Sequence, residues 1–498
     1  MKSISENITF YSDKLIVGLL LAVVVAVPLF FDIRLYSVFD LSKVMALYLL
    51  TIAILVVWLI ALVFKHGFKF SHTAIDIPIL AYIFIFIISS AVSINPIMSL
   101  FGTYKRFEGL TVTLCYILIF YATVNFMTTK KKLYLSIFAI VAGVAVSSIY
   151  GIAQHLGFDM FKWSSFEARR VFSTFGNPVF FSAYLVMTLP LAVVLFFSNS
   201  SQQKEITSLK NLYITWIFFI LSAIIYTTFW LTNTRACFVA LLGGLSPLLI
   251  VIFKKQTTER YKFLVLVVSF VLIGTFFNVR HETSVIKHFA SDTRTTEFST
   301  QESVSDSKQT HPRPWIANKF SVTGSSFSRV FQYLAATRII KDYPALGIGP
   351  DTIGIVYQKN LAKVFSLVES DKGFPFPRQD RIHNDILDTT VTRGIFGLGT
   401  YIWILAAFGI YVGKNYKRLS NENKVLILGI SSGILCYLIQ NEFSFGNTPI
   451  VTLFWVMMGL CISIIKMNET EISLSTEGSG PKIKECHEDR KLRGWEGR

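Results

Sequence analysis

Charge is what this chain has least of: Asp, Glu, Lys and Arg make up 16% of its 498 residues, against about a quarter in a soluble globular domain. With 52% hydrophobic residues and a mean hydropathy of +0.53, the shortfall excludes a soluble globular protein. Cysteines are also few. Cys115, Cys237, Cys436, Cys461 and Cys486 are scattered, with no C-x-x-C spacing and no His placed to complete a site, so neither a disulfide framework nor a zinc site is supported. No G-x-x-x-x-G-K-[ST] phosphate loop occurs, which argues against a nucleotide-driven reaction. Ionisable residues are nearly missing from the centres of the apolar runs, where a secondary transporter needs them for coupling.

Long apolar runs are abundant. Twelve reach the roughly 20 residues that a bilayer-spanning helix requires, beginning near Leu15, Val44, Ile75, Leu110, Tyr134, Phe180, Leu212, Ala236, Phe263, Thr392, Val425 and Val451. The first is too long for a signal peptide and no small-residue cleavage site follows it, so it reads as a retained anchor. Lys and Arg near span ends stay on the cytoplasmic side. With the N-terminus inside, fifteen of them fall in inner loops and eight in short outer loops, and both termini are assigned to the cytoplasm. The net charge of +16 then reflects bilayer topology rather than a nucleic-acid partner.

The expected fold is an all-α polytopic membrane protein of about 12 transmembrane helices. Residues 1–279 hold helices 1–9, residues 280–390 form one large extracytoplasmic loop, residues 391–467 hold helices 10–12, and 468–498 read as a disordered cytoplasmic tail. Any chemistry is then extracytoplasmic. Within the loop, His281 to Pro314 lacks periodicity, whereas from Ser328 an amphipathic helix carrying Arg329 and Arg338 ends at Pro344. Nine residues apart, the two arginines need not share a face. Leu346 to Asp351 reads as a turn with Asp351 as N-cap of the next helix. Arg378-Gln-Asp-Arg381-Ile-His383-Asn-Asp385 is the densest polar segment and lies just before the tenth span, near the membrane boundary.

Several short patterns occur in order along the chain. They are Arg106-Phe-Glu-Gly109, Tyr150-Gly-Ile-Ala-Gln154, Phe175-Gly-Asn-Pro178, Thr232-Asn-Thr-Arg235, Ser328-Arg329, Asp342-Tyr-Pro-Ala-Leu-Gly-Ile-Gly-Pro350, and His383-Asn384 with Gly394-Ile-Phe-Gly397. From about Arg106 to Gly459 the sequence resembles the O-antigen ligase and O-antigen polymerase superfamily. The resemblance implies a metal-independent glycosyl transfer, without cofactor, on the outer face of the cytoplasmic membrane. The donor would be a glycan on undecaprenyl diphosphate, and the acceptor a hydroxyl of a glycan, lipid or protein. By motif, His383 and Arg235 match the family's catalytic histidine and arginine, and Arg329 its loop arginine. Arg338, Arg106, Arg381 and Arg169 complete the set expected to contact diphosphate or glycan. Unlike long members of the superfamily, this sequence has only a short polar tail after its last span and no tetratricopeptide region there.

The chemistry suits those residue types. Breaking a sugar-diphosphate bond builds charge on the leaving group, which permanently charged guanidinium groups hold in bidentate fashion. The acceptor hydroxyl loses a proton to a neutral histidine, and nearby arginines lower the pKa that keeps it neutral. Structural readings stand beside these. In these, His383 is only the neighbour of a capping Asn384 or Asp385, Arg235 an interfacial arginine in a tight turn, and Arg329 and Arg338 the solvated face of a helix. Gly176-Asn-Pro178 and Asn447-Thr-Pro449 read as helix starts, Asn capping and Pro following. A polymerase of the same superfamily, a lipid-linked glycan flippase or transporter, and a non-catalytic scaffold are the competing functions.

Overall fold

The computed structural model describes residues 2–64, 70–161, 163, 170–198, 209–255, 260–279, 325–366 and 380–477, and among them every regular element is helical. In chain order these are α1 (Lys2–Leu29), α2 (Asp40–Phe64), α3 (Asp76–Ala91), α4 (Pro96–Phe101), α5 (Leu110–Phe126), α6 (Lys130–His155), α7 (Pro178–Ser198) and α8 (Leu209–Thr232). Then follow α9 (Arg235–Lys255), α10 (Arg260–Val279), α11 (Ser325–Asp342), α12 (Ile353–Ser366), α13 (Asp385–Tyr416), α14 (Asn421–Asn441) and α15 (Thr448–Glu477). Ten are long and apolar enough to cross a membrane: α1, α2, α6 to α10, and α13 to α15. The third and fourth expected spans correspond to shorter apolar helices, α3 with 16 residues and α5 with 17. The protein is an all-helical polytopic membrane protein.

Burial sorts the helices. Nearly all of α7 and most of α15 are enclosed by protein, while α10 and α13 keep most of their surface open to the surrounding apolar phase. The α7 helix packs against α8, α9 and α14, and α15 against α5 and α14. Small residues permit the closest approaches, since a Cβ added at Gly244 would strike Cys436 and one at Gly429 or Gly433 would strike α7.

The connections α1–α2, α3–α5, α6–α7, α8–α9, α10–α13 and α14–α15 meet at one end of the bundle, joined by contacts such as Thr174 to Pro28, Arg170 to Thr232, Ile94 to Ile348, Asn384 to Glu442 and Phe180 to Phe445. All expected site residues that are described lie there. Among the described residues, the five non-glycines with left-handed backbone, Phe107, Ser173, Asn233, Asp351 and His383, lie there too. Such conformations persist only where the surroundings over-determine them.

A second, smaller apolar cluster sits on that end. Phe331, Ala335, Ala336 and Ile339 of α11 pack on Ile353, Tyr357, Leu361 and Val364 of α12, with Ile348, Ile382 and Val391. The amphipathic helix expected from Ser328 to Pro344 is α11. The aperiodic segment 281–314 and the extended Phe374–Pro377 lie outside the described residues.

Four local expectations are corrected. Asp351 does not cap α12: its carboxylate accepts from Thr103 N and Oγ1, Glu108 N and Arg381, because the turn before α12 is pressed into the α3–α5 connection. Asn177 does cap α7, accepting from Val179 N at 2.8 Å, but the Asn447 side-chain oxygen ahead of α15 is buried without a partner. Lys43, counted among outer-loop cations, is fully buried and donates to the Pro28 and Phe30 carbonyls at the end of α1. The last helix runs on to Glu477 rather than ending before Asn468. That residue is buried and ties α15 to the α13–α14 turn, accepting from Ser420 N and donating to Arg418 O.

Candidate functional site

The site is built around an interruption in α13. Gly394 has φ +67 and ψ −170, so the helix breaks ten residues in and frees backbone groups on both sides. The segment Pro344 to Gly349 fills the break. Ile348 N and Gly349 N donate to the Val391 and Thr392 carbonyls at 2.9 Å, and Ile395 N donates to Pro344 O at 2.9 Å. Glycine is required at this junction, since a Cβ on Gly394 would lie 2.0 Å from Ala345 O. Serines from the other side complete the clamp: Ser89 Oγ donates to Leu346 O, Ser93 Oγ to Ile348 O and Ser99 Oγ to Pro350 O. The Asp342 to Pro350 and Gly394 to Gly397 motifs are thus two halves of one fastening.

That fastening brings Asp351 and Asp388 to Arg381. The Arg381 guanidinium donates to Asp388 at 2.9 Å, Asp351 at 3.0 Å and Glu108 at 3.2 Å, and its side chain is 6% exposed. A buried cation with three carboxylates around it is held in its charged form, and its pKa is raised accordingly. Burial also pushes Glu108 up to about 7, with Asp351 and Asp388 adding to the rise against the pull of Arg381 and Arg106. Every neighbour of His383 is then fixed by a different force. Arg381 is held by charge, Ile382 is inserted in the small apolar cluster, and Asn384 caps α13 by accepting from Leu387 N at 2.9 Å. The Asn384 amide also donates to Glu442 Oε2 at 2.9 Å, and Asp385 accepts from Tyr401 at 3.0 Å.

His383 itself sits at φ +59 with its ring edge-on to Phe445, centroids 5.2 Å apart. Its Nδ1 is buried and makes no hydrogen bond of ordinary geometry. Burial lowers its pKa, and the charges of Arg329 and Arg106 lower it further, against smaller opposing pulls from the Arg381 backbone and Asp388. A lowered pKa favours the neutral imidazole, the form with an acceptor nitrogen.

The expected arginines divide. Arg106 grips Asp380 through two bonds of 2.9 and 3.1 Å, stands over the Phe445 ring at 4.7 Å and remains partly exposed. Arg329 is half-buried and close enough for its charge to act on His383, whereas Arg338, two and a half turns on, is exposed. Arg235 is half-buried at the start of α9, in a turn whose Thr234 hydroxyl reaches Pro178 O at 3.5 Å. Two residues from Pro178, Phe180 touches Phe445, so the turn borders the same aromatic group. Arg169 lies outside the described residues. Its neighbour Arg170 braces that turn, donating to Thr232 O and Thr234 Oγ1 at 2.9 Å.

Behind Phe445 lies a cavity of about 100 Å³ that sequence reasoning missed. Glu108, Asp351, Asp385 and Asp388 line it with Arg381 and Arg393, and its aromatic wall includes Tyr116, Tyr437 and Trp455. One signal was legible: Asp385 and Asp388 stand one turn apart at the start of an otherwise apolar helix.

A search of curated proteins finds no match to the chain. Residues 216–402 match the family model described as O-antigen ligase, a span from α8 into α13 that includes Arg235, Arg329, Arg338, Arg381 and His383. Arg106, Glu108 and Phe445, which complete the site in space, lie beyond it. By that region, the chain is similar to the O-antigen ligase superfamily.

Proposed function

We propose that the protein transfers a glycan from a polyprenyl diphosphate carrier, undecaprenyl diphosphate by the resemblance, to an acceptor hydroxyl. The reaction takes place on the extracytoplasmic face of the cytoplasmic membrane. His383 is the general base. Arg106 and Arg329 hold the leaving diphosphate, with Arg235 at the neighbouring turn. The observation that carries this reading is the His383 imidazole, locked in an uncommon backbone conformation with its ring against Phe445, over which Arg106 also stands. As the hydroxyl attacks the anomeric carbon, its proton passes to His383 and the glycosidic C–O bond to the diphosphate breaks. The charge left on the diphosphate oxygen is met by fixed cations, worth most where water is scarce. The O-antigen ligase match over residues 216–402 supports ligase or polymerase chemistry, which differ only in the acceptor. The near absence of ionisable groups from the helix centres argues against a flippase.

Arg381 has a different role in this reading. Held by three carboxylates through its two terminal nitrogens, it positions the His383 segment rather than binding diphosphate. Reconstitution with carrier-linked glycan tests the proposal: His383→Ala is expected to reduce transfer roughly 10²- to 10⁴-fold. Unimpaired transfer by that variant sinks the assignment. Sidedness is tested by a thiol reagent on intact spheroplasts, which should label an Arg338→Cys variant; labelling only after lysis inverts the topology.

A further inference from the structure

Phe445 touches the His383 ring and Arg106, itself paired with Asp380, and it also lines a cavity in which four carboxylates outnumber two guanidinium groups. A diphosphate or an acidic sugar has no place among those carboxylates. The cavity's other lining is aromatic, with Tyr82, Tyr116, Tyr401, Tyr437 and Trp455 among its walls. Rings to cover the apolar face of a pyranose, with carboxylates to accept from its hydroxyls, are what a sugar needs for recognition. Two donors that line the cavity are poorly used: Arg381 Nε is buried without a partner, and Tyr116 Oη, beside Thr448, makes no hydrogen bond of ordinary geometry. A volume of about 100 Å³ limits the occupant to a single small ring and excludes an oligosaccharide.

We infer that this cavity is the acceptor subsite, binding one neutral or amine-bearing sugar ring, with Phe445 as the partition between acceptor and diphosphate. The inference rests on the transfer reading for its place in the reaction. In a displacement, nucleophile and leaving group occupy opposite sides of the reacting carbon. The leaving group belongs with the arginines, so the acceptor belongs on the cavity side, whose lining residue Phe445 is in ring contact with His383. Binding itself is independent of transfer.

The test uses the full-length protein in nanodiscs with 5-fluorotryptophan incorporated, the Trp455 resonance being assigned by its loss in Trp455→Phe. D-Glucose and D-glucosamine should shift that resonance saturably, and D-glucuronate and inorganic pyrophosphate should not. Tyr116→Phe removes a hydroxyl that makes no hydrogen bond of ordinary geometry in the free protein, so it should shift the melting temperature little and weaken sugar binding about tenfold. Asp385→Asn, whose bond from Tyr401 an amide oxygen can still accept, should weaken glucosamine binding more than glucose binding. A Trp455 signal unmoved by either sugar, equally moved by glucuronate, or unaffected by Tyr116→Phe overturns the inference. If sugars bind while His383→Ala transfers normally, the transfer reading fails and the subsite stands. If His383→Ala abolishes transfer while no sugar binds, the reverse holds.

Discussion

Arg381 and Arg106 both lie against the ring of Phe445, at 5.7 and 4.7 Å, yet the protein treats them as opposites. Arg381 is enclosed and shared among three carboxylates; Arg106 has one carboxylate partner, Asp380, and a face toward solvent. The difference separates two uses of a guanidinium in one small volume. An arginine surrounded by a surplus of negative charge organises the chain around it. An arginine with spare donors at an opening can meet an anion that arrives and leaves. Residue type and position relative to the membrane are alike for the two, so only the count of partners distinguishes them.

Substitution should make the contrast measurable. The largest effect is expected from His383→Ala in transfer assays, as given above. Next, Arg381→Met should destabilise the protein by about 3–5 kcal/mol, because it strands buried carboxylates without their cation. Arg106→Gln should leave the melting temperature within a few degrees while lowering transfer about 10²-fold. Equal loss of stability in both variants, read by thermal unfolding in detergent, would erase the distinction. A smaller effect sharpens the assignment of His383. Arg329 lowers its pKa, so Arg329→Gln should raise it, and the acid limb of the kcat/KM profile should move to higher pH. A limb that stays in place would mean that the field of Arg329 does not reach the base.

Glu108 offers a test on the carboxylate side. Its pKa in the folded protein, about 7, lies above the ordinary 4.5, so between these values the folded state binds a proton that the unfolded state has lost. Its contribution to stability is present below pH 4.5 and declines as the pH rises through 7. Glu108→Gln should remove that part of the pH dependence of unfolding. Arg338→Gln, at an exposed position outside both compartments, should change stability by less than about 0.5 kcal/mol and transfer not at all.

Much of the helical scaffold was legible because membrane helices announce themselves. Each must satisfy its own backbone and present apolar side chains, so a single run of residues carries the signal. The α8–α9 turn at Thr232 to Arg235 and the start of α13 after Asn384 follow directly from local chemistry. His383 was legible for a similar reason, as a polar residue concentrated just outside a span. The carboxylates were not. Glu108, Asp351 and Asp388 look like a loop acid, an N-cap and a helix-start acid, and each reading is reasonable at its own address. They meet only because the Pro344 to Gly349 segment patches the break at Gly394, with residue separations of up to 273 between bonded side chains.

The sequence alone determined that this chain is a bundle of membrane helices with its polar chemistry gathered before the α13 span, since hydropathy is a property of contiguous residues. Tertiary structure alone decided which arginine is locked, which stands open, and that a carboxylate-lined cavity lies behind Phe445. Those outcomes depend on how many charges converge at one point in a poorly screened interior, a quantity no local stretch of residues contains.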